Sequence, residues 1–306
     1  MRPKIVVVGS SNTDLVVKLP RLPQPGETII GGTFSMASGG KGGNQAVAAA
    51  RAGGDVTFIA RVGDDHFGRQ AIEGYKNDRV DVKSIGVSPG ASSGIALIFV
   101  DEFGENCIGV ASGANNEFSP SDLERASDTL ASADILLLQF EIPLPTVEAA
   151  IQTASEAGVR VILNPAPARN LDPELYKLLS VITPNEIETE ILTGIHVSDD
   201  ASIAYAAASL LDRGVSAVII TLGARGAFLA EAGKSEFIPA FKVIPVDTTA
   251  AGDVFSGALA VSLGENSSMS DAVRFASAAA ALSVTRLGAQ PSAPRRDEIE
   301  HLLRNG

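Results

Sequence analysis

The sequence predicts an α/β fold in which a mostly parallel sheet carries helices on both faces and a small second β layer stands apart. Three observations predict it. Short aliphatic runs recur along the chain, separated by Ala-rich segments with helical punctuation. From Asp134 onward the two alternate, the pattern of parallel strands joined by crossover helices. Two segments, Leu15–Ser35 and Ser93–Val110, break that alternation and read as a separate β layer.

Taken in order, Ile5–Val8 is a run of β-branched residues closed by Gly9, as a strand buried on both faces requires. Leu15–Ser35 carries Pro20, Pro23, Pro25 and Gly26 between short apolar stretches such as Thr28-Ile29-Ile30. Lys41–Ala52 is Ala-rich and stops at Gly53-Gly54, which marks a helix. Asp55–Ala60 is the next core strand. Ser93–Val110 is a hairpin: Ile95–Val100, a turn around Glu102–Glu105, then Cys107–Val110. Ser119-Pro120-Ser121-Asp122 starts a helix, with a capping hydroxyl, a proline at the first helical position and an acid in the first turn. The strands Asp134–Leu138, Val159–Leu163, Val181–Thr183 and Ala217–Thr221 follow. Helices Pro145–Ala157, closed by Gly158, and Asp200–Asp212, ending at Gly214, lie among them, and Asp271–Val284 is a last Ala-rich helix. One domain is expected over 1–306, with its β layer formed by about 15–38 and 93–111.

Lys and Arg number 24 against 36 Asp and Glu, a net charge of -12. A surface of that sign repels nucleic acid and anionic lipid, so neither is an expected partner. The single cysteine, Cys107, excludes an internal disulfide and fits a reducing compartment. It lies in a strand-like run without a nearby histidine and is read as structural. The N-terminus offers only four consecutive apolar residues, Ile5–Val8, where a secretory core needs about 7–15. The expectation is a cytoplasmic, soluble chain without a membrane span.

In open α/β sheets, ligands bind at the carboxyl ends of the strands. Five motifs stand there. Asn12 and Asp14, two apart past the first strand, face one side if extended. An amide and a carboxylate so placed can take several hydroxyls of one sugar, or simply cap a loop. Ser38-Gly39-Gly40-Lys41-Gly42-Gly43-Asn44-Gln45 has four glycines in five positions and opens a helix. Backbone can approach a ligand closely there, or the loop is a flexible hinge. It is neither a P-loop, since Gly42 follows the lysine, nor G-x-G-x-x-G, since Gln45 stands where the third glycine belongs. Asn185 and Glu188, three apart at a helix start, could hold the water shell of Mg²⁺ or serve the helix end. Thr221-Leu222-Gly223-Ala224-Arg225-Gly226 ends a strand with a glycine-bracketed turn along which a nucleotide could lie, or which is a plain hairpin. The sharpest motif is Asp247-Thr248-Thr249-Ala250-Ala251-Gly252-Asp253. Free N–H groups at its helix mouth would stabilise a phosphoryl oxygen. Asp253 beside them could take the proton of an attacking hydroxyl, the alternative being a capping aspartate.

Other candidates fall away. Gly90-Ala91-Ser92-Ser93-Gly94 matches G-x-S-x-G, but a strand follows where a helix is needed. His66, His196 and His301 lack metal-ligand spacing, so zinc is not indicated. The loop Asn164-Pro165-Ala166-Pro167-Ala168-Arg169 sits at the ligand edge without an assigned role.

In this order the motifs resemble those of the ribokinase-like carbohydrate kinases, from Ile5 to about residue 300. Gly39-Gly40-Lys41-Gly42 with Asn44, and Asp247-Thr248 with Ala250-Ala251-Gly252-Asp253, are similar to the two signatures of that family. Gly43 stands where Ala is more usual, and Ser277 where some members carry a larger residue near the adenine.

The resemblance implies a Rossmann-like central sheet, mostly parallel with helices on both faces, plus a small β-sheet lid through which two chains pair as a homodimer. It implies ATP, Mg²⁺ and K⁺, and transfer of a phosphoryl group to the 5-hydroxyl of D-ribose. The sugar contacts would be Asn12, Asp14, Gly40, Lys41, Asn44 and Glu141, with Asp253 as base and Ala251 and Gly252 beside it. The nucleotide contacts would be Asn185, Thr221, Leu222, Gly223, Ala224, Arg225, Gly226, Gly252 and Ser277. Potassium would take Asp247, Thr249, Ser283, Arg286, Gly288 and Ser292, partly through backbone carbonyls. Fructose, a nucleoside or a keto-deoxy acid are alternative substrates, and a non-catalytic sugar-binding role is the alternative class. Lys41 is the only cation among the sugar-facing motifs, beside Asp14 and Glu141, which favours a neutral polyol.

Overall fold

Valine, isoleucine and leucine fill the strand-forming runs, and in the computed structural model, which describes residues 2–306, those runs assemble into two sheets. The strands in chain order are β1 Lys4–Val8, β2 Asn12–Lys18, β3 Thr33–Gly39, β4 Asp55–Gly63, β5 Ile85–Ser88, β6 Gly94–Val100 and β7 Asn106–Ala111. After them come β8 Ile135–Leu138, β9 Arg160–Leu163, β10 Val181–Ile182, β11 Ala217–Thr221, β12 Ala227–Glu231 and β13 Lys234–Ile238. The helices are α1 Lys41–Ala52, α2 His66–Asn77, α3 Pro120–Glu124, α4 Ser127–Ala131, α5 Leu144–Glu156 and α6 Pro173–Tyr176. They continue with α7 Glu186–Thr193, α8 Asp200–Asp212, α9 Ala251–Gly264, α10 Met269–Ser283 and α11 Arg296–Asn305.

The large sheet has nine strands in the order β13-β12-β11-β10-β9-β8-β1-β4-β5. It is parallel from β5 to β11 and antiparallel only across β11, β12 and β13. Alternate residues of each strand serve opposite faces. Ile5, Val7, Ile135, Leu137 and Ile219 join one core with α1, α9 and α10. Val6, Val8, Leu136, Leu138 and Val218 join the other with α5 and α8. This is the predicted layering, with helices covering both faces.

The second sheet has four strands, ordered β3-β2-β6-β7. Only the residues Gly9-Ser10-Ser11 separate β1 from β2, so the chain passes directly from the large sheet into the small one. Asn12 and Asp14 are therefore strand residues of β2 and not a loop. The apolar stretch Thr28-Ile29-Ile30 is not a strand: it belongs to an irregular connection in which Ile30 is exposed. Cys107 does lie in a strand, but exposed. Helix α2 and the β12–β13 hairpin were not predicted. Gly68 and Gly74 interrupt the helical pattern of the first, and the second is a short apolar run with no strong turn signal.

Candidate active site

The site forms where β1, β8, β10 and β11 end and the mouths of α1, α7 and α9 meet them. At α1 the glycines allow backbone to lie on backbone. A Cβ on Gly42 would come within 2.6 Å of Ser10 N, and one on Gly40 within 2.6 Å of Asn12 N. Gly43 N donates to Ser10 O at 2.9 Å, locking the loop against the β1–β2 connection. The loop is thus a tightly seated cradle and not a flexible hinge.

Glu141, just past β8, closes the mouth of α1. Its Oε2 accepts from Lys41 N at 2.9 Å and from Ser10 Oγ at 2.6 Å. No side chain of α1's own cap does this. Asn12 is buried, and its Oδ1 accepts from Asn115 Nδ2 at 2.7 Å. Asp14, on the same face of β2, is half-buried. Burial, with Glu141 and Asp253 nearby, pushes its carboxyl up to about 6.

Asp253 is the third residue of α9 and almost wholly buried. It is not a cap: Ala250 holds the N-cap position at φ 60° without a side-chain bond. The Asp253 carboxylate accepts instead from Asn44 Nδ2 at 2.9 Å on Oδ2 and from Gln45 Nε2 at 3.1 Å on Oδ1. Burial pushes its carboxyl above the ordinary range, against the pull of Lys41 and the two amides. In turn Asp253, with Glu141 and Glu188, raises the Lys41 ammonium, which stays charged among these three carboxyls.

The turn after β11 and the start of α7 are neighbours. Asn185 pairs with Thr221 as an isolated parallel bridge, and Arg225 Nη2 donates to Glu186 Oε1 at 2.6 Å. Residues 221–226 are a hairpin turn, since β12 returns antiparallel to β11. Asn185 and Glu188 cap α7 reciprocally: Asn185 Oδ1 accepts from Glu188 N at 2.8 Å, and Asn185 N donates to Glu188 Oε2 at 2.9 Å. Glu188 Oε1 stays outside the cap, and burial raises the Glu188 carboxyl above its usual value. A cavity of about 170 Å³ gathers Lys41, Asn185, Glu188, Thr221, Gly252 and Asp253 on one wall. Asn12, Asp14, Asn44 and Glu141 are not on that wall. Asn44 joins it through its bond to Asp253 and Glu141 through Lys41 N. Ser277 is buried in α10, off the wall.

The loops bearing Asp247, Thr249 and Gly288 also converge. Asp247 Oδ1 accepts from Thr249 N at 2.9 Å and Oδ2 from Gly288 N at 2.8 Å. Burial opposes the charge, but the Thr249 hydroxyl and these amides hold the Asp247 carboxyl below its ordinary value. Val246 N and Asp247 N donate to Val284 O at 2.7 and 3.1 Å. The hydroxyls of Ser283 and Ser292 donate to Ala280 O and Ala289 O, and Arg286 pairs with Glu298. One carboxylate with hydroxyl and carbonyl oxygens suits a hard cation. No group of three His, Cys, Asp or Glu among the described residues is arranged to hold a metal.

Sequence reasoning missed Gln45 and Gln139 and left Asn164 without a role. All three are buried polar residues linked to Asp253. The one available signal was Gln139, a polar residue directly after the four apolar residues of β8. A larger cavity of about 750 Å³ lies apart, at the opposite strand ends. Its five arginines face five acids, and it touches none of the motifs. No helix among the described residues is long and apolar enough to cross a membrane.

Residues 2–296 match the model of the pfkB family carbohydrate kinases. The chain is 45% identical over 303 residues to a ribokinase of Haemophilus influenzae, covering 99% of both chains. It is 38% identical over 300 residues to a deoxyribokinase of Salmonella typhimurium, covering 98% of both. Its fold matches that of an Arabidopsis thaliana ribokinase complexed with ribose and ATP, with a TM-score of 0.92, 34% identity and 99% of both chains covered.

Proposed function

The chain belongs to the pfkB family of carbohydrate kinases, and from that membership we propose that it transfers the γ-phosphoryl group of ATP to the 5-hydroxyl of D-ribose, giving D-ribose 5-phosphate and ADP. The observation that carries the reading is Asp253: a buried carboxylate at an uncapped helix mouth, held by two amide donors and beside a single lysine. The sugar oxygen forms its bond to the γ-phosphorus while Asp253 takes the hydroxyl proton. The bond to the bridging oxygen breaks, and its electron pair leaves with ADP. The N–H groups of α9's first turn, at Ala251, Gly252 and Asp253, meet the charge that develops on the phosphoryl oxygens.

Asn12, Asp14, Gly40, Lys41, Asn44 and Glu141 bind the sugar in this reading. The nucleotide lies along Asn185, the Thr221–Gly226 turn and Gly252, with Ser277 on the adenine side. The pair Asn185 and Glu188 would hold Mg²⁺ through water, and the metal would supply charge neutralisation on the phosphates. Asp247, Thr249, Ser283, Arg286, Gly288 and Ser292 would hold K⁺, which would add positive charge beside the loop entering α9. The anionic oxygen-rich loop supports that assignment.

The small sheet acts as a lid and as the contact of a homodimer. Strand register supports both roles. Leu15, Val17, Phe34, Met36 and Leu97 share the face opposite Asp14, and Phe34 and Leu97 are more than half exposed. Asp14 shares its own face with Ile98 and Val110. The chain works in the cytoplasm, where ATP is supplied.

Coupled ADP release with ATP, Mg²⁺ and K⁺ tests the reading against D-ribose, 2-deoxy-D-ribose, D-fructose, 2-keto-3-deoxygluconate and adenosine. Turnover highest on D-ribose is the expected result. The deoxyribokinase relative makes 2-deoxy-D-ribose the second reading, and higher turnover on it would reassign the sugar while keeping Asp253. No turnover on any of the five, by folded protein, would overturn the catalytic reading.

A further inference from the structure

Beneath Asp253 runs a chain of buried amides that phosphoryl transfer does not itself call on. Gln45, in the second turn of α1, is fully buried. Its Nε2 lies 3.1 Å from Asp253 Oδ1 and 3.1 Å from Asn164 Oδ1. Its Oε1 accepts from Gln139 Nε2 at 2.5 Å. Asn164 Nδ2 in turn donates to the backbone carbonyl of Thr183 at 3.1 Å. Gln139 packs so closely on Gly9 that a Cβ there would sit 2.0 Å from Gln139 Oε1.

The direction of this chain follows from one group. A backbone carbonyl only accepts, so Asn164 must turn its Nδ2 to Thr183 and its Oδ1 to Gln45. Gln45 must then present Nε2 to Asn164, and the same Nε2 reaches Asp253. Its Oε1 is left for Gln139. With Gln45 flipped, its carbonyl oxygen would face the Asp253 carboxylate, and with Asn164 flipped, its oxygen would face the Thr183 carbonyl; both are repulsive contacts between buried groups.

We infer that Gln45, oriented through Asn164 by the Thr183 carbonyl and braced by Gln139, is a positioning residue that fixes Asp253 Oδ1 for proton abstraction. The inference rests on Asp253 being the base. Asn44, on Oδ2, is one of the residues read here as sugar contacts, whereas Gln45, on Oδ1, is fully buried, so Gln45 acts on the base and not on the sugar. The charged groups facing Asp253 are Lys41 from α1, Glu141 from the end of β8, Asp14 from β2 and Glu188 from α7. Lys41 favours the ionised form and the three acids oppose it. Loss of the Gln45 donor therefore moves the Asp253 titration to higher pH.

The test uses full-length protein with saturating ATP and D-ribose, and kcat measured from pH 5 to 9. Gln45→Leu is expected to lower kcat about 10–100-fold, as a misplaced catalytic group does, with the KM for ribose nearly unchanged. Its acidic limb should stand at higher pH than in the parent. Gln139→Met, which touches neither sugar nor Asp253, should shift both in the same direction by less. A folded Gln45→Leu with the parental kcat and acidic limb overturns the inference, as does a loss confined to KM. If Gln45→Leu does not fold, Gln139→Met decides by the same limb. The Asp253 carboxyl titration is followed separately by infrared difference spectra against Asp253→Asn. A parent that turns over no sugar sinks the catalytic reading, while an unshifted infrared titration in the glutamine variants sinks the relay alone.

Discussion

Three helices open onto the same site, and they close their N-termini in two ways. α7 closes itself: Asn185 and Glu188 satisfy each other's backbone, a reciprocal cap of the kind that stabilises a helix by about 1 kcal/mol. α1 and α9 do not. Gly40 and Ala250 occupy their N-cap positions, both at positive φ, and neither offers a side-chain acceptor. At α1 the missing acceptor is replaced by Glu141, a distant carboxylate that belongs to the site. At α9 no side chain replaces it, and Ala250 holds a backbone conformation that costs of order 1 kcal/mol in a residue with a Cβ. α7 spends its own residues on its end even though both of them line the cavity. In the function proposed here, α1 and α9 leave theirs to groups that arrive from elsewhere.

The largest effect should come from breaking the α9 side. Asp253→Ala is expected to lose about 10²–10⁴ in kcat, the usual contribution of a general base, with ribose binding much less affected. A variant with near-normal kcat would remove Asp253 from the chemistry.

The acids around the α1 mouth come next. Burial, with Glu141 and Asp253 nearby, pushes the Asp14 carboxyl up to about 6 in the folded chain, against an ordinary 3.8. The folded state therefore holds this proton more tightly than the unfolded one. The stability it contributes is full below 3.8 and is lost as the pH rises through about 6, on the order of 3 kcal/mol. Asp14→Asn should accordingly be more stable than the parent at pH 8, by up to about that amount, yet bind ribose less well. In the parent, ribose affinity measured by calorimetry should fall as the pH drops below about 6 and the carboxylate acceptor is lost. Affinity that is flat from pH 5 to 8 would mean that Asp14 does not bind the sugar as an anion.

The smallest pair of effects sharpens the contrast of caps directly. Asn185→Ala should cost about 1 kcal/mol, or roughly 2 °C in Tm for a chain of this size. Ala250→Gly should gain up to a similar amount by relieving the positive φ. Equal responses at the two sites would erase the distinction between them.

Much of this arrangement is legible in the residues because it is local. Helices α1 and α8 have the limits that Gly53 and Gly214 announce, and the strand-tip placement of Asn185, Thr221 and Asp253 follows from strand–helix alternation. Whether a motif is a cap or a ligand site is not local. Asn185 and Glu188 turn out to cap their helix while lining the cavity, and Asp253 does not cap at all. The amides of Gln45, Gln139 and Asn164 come from three separate elements, so their shared burial depends on tertiary packing that no spacing reveals. Thr28–Ile30 illustrates the reverse error, since apolar residues in a proline-rich stretch have no partner strand to pair with.

The three residues between β1 and β2 have one further consequence. Asp253 travels with the large sheet and Asp14 with the small one, and the crease between the sheets falls at Gly9-Ser10-Ser11, immediately before Asn12. Any bending at that crease changes the separation of the two carboxylates, and with it their mutual repulsion. The protonation of Asp14 is therefore a gauge of the angle between the sheets: a more open angle would let its carboxyl ionise at lower pH, and a more closed one would hold the proton longer.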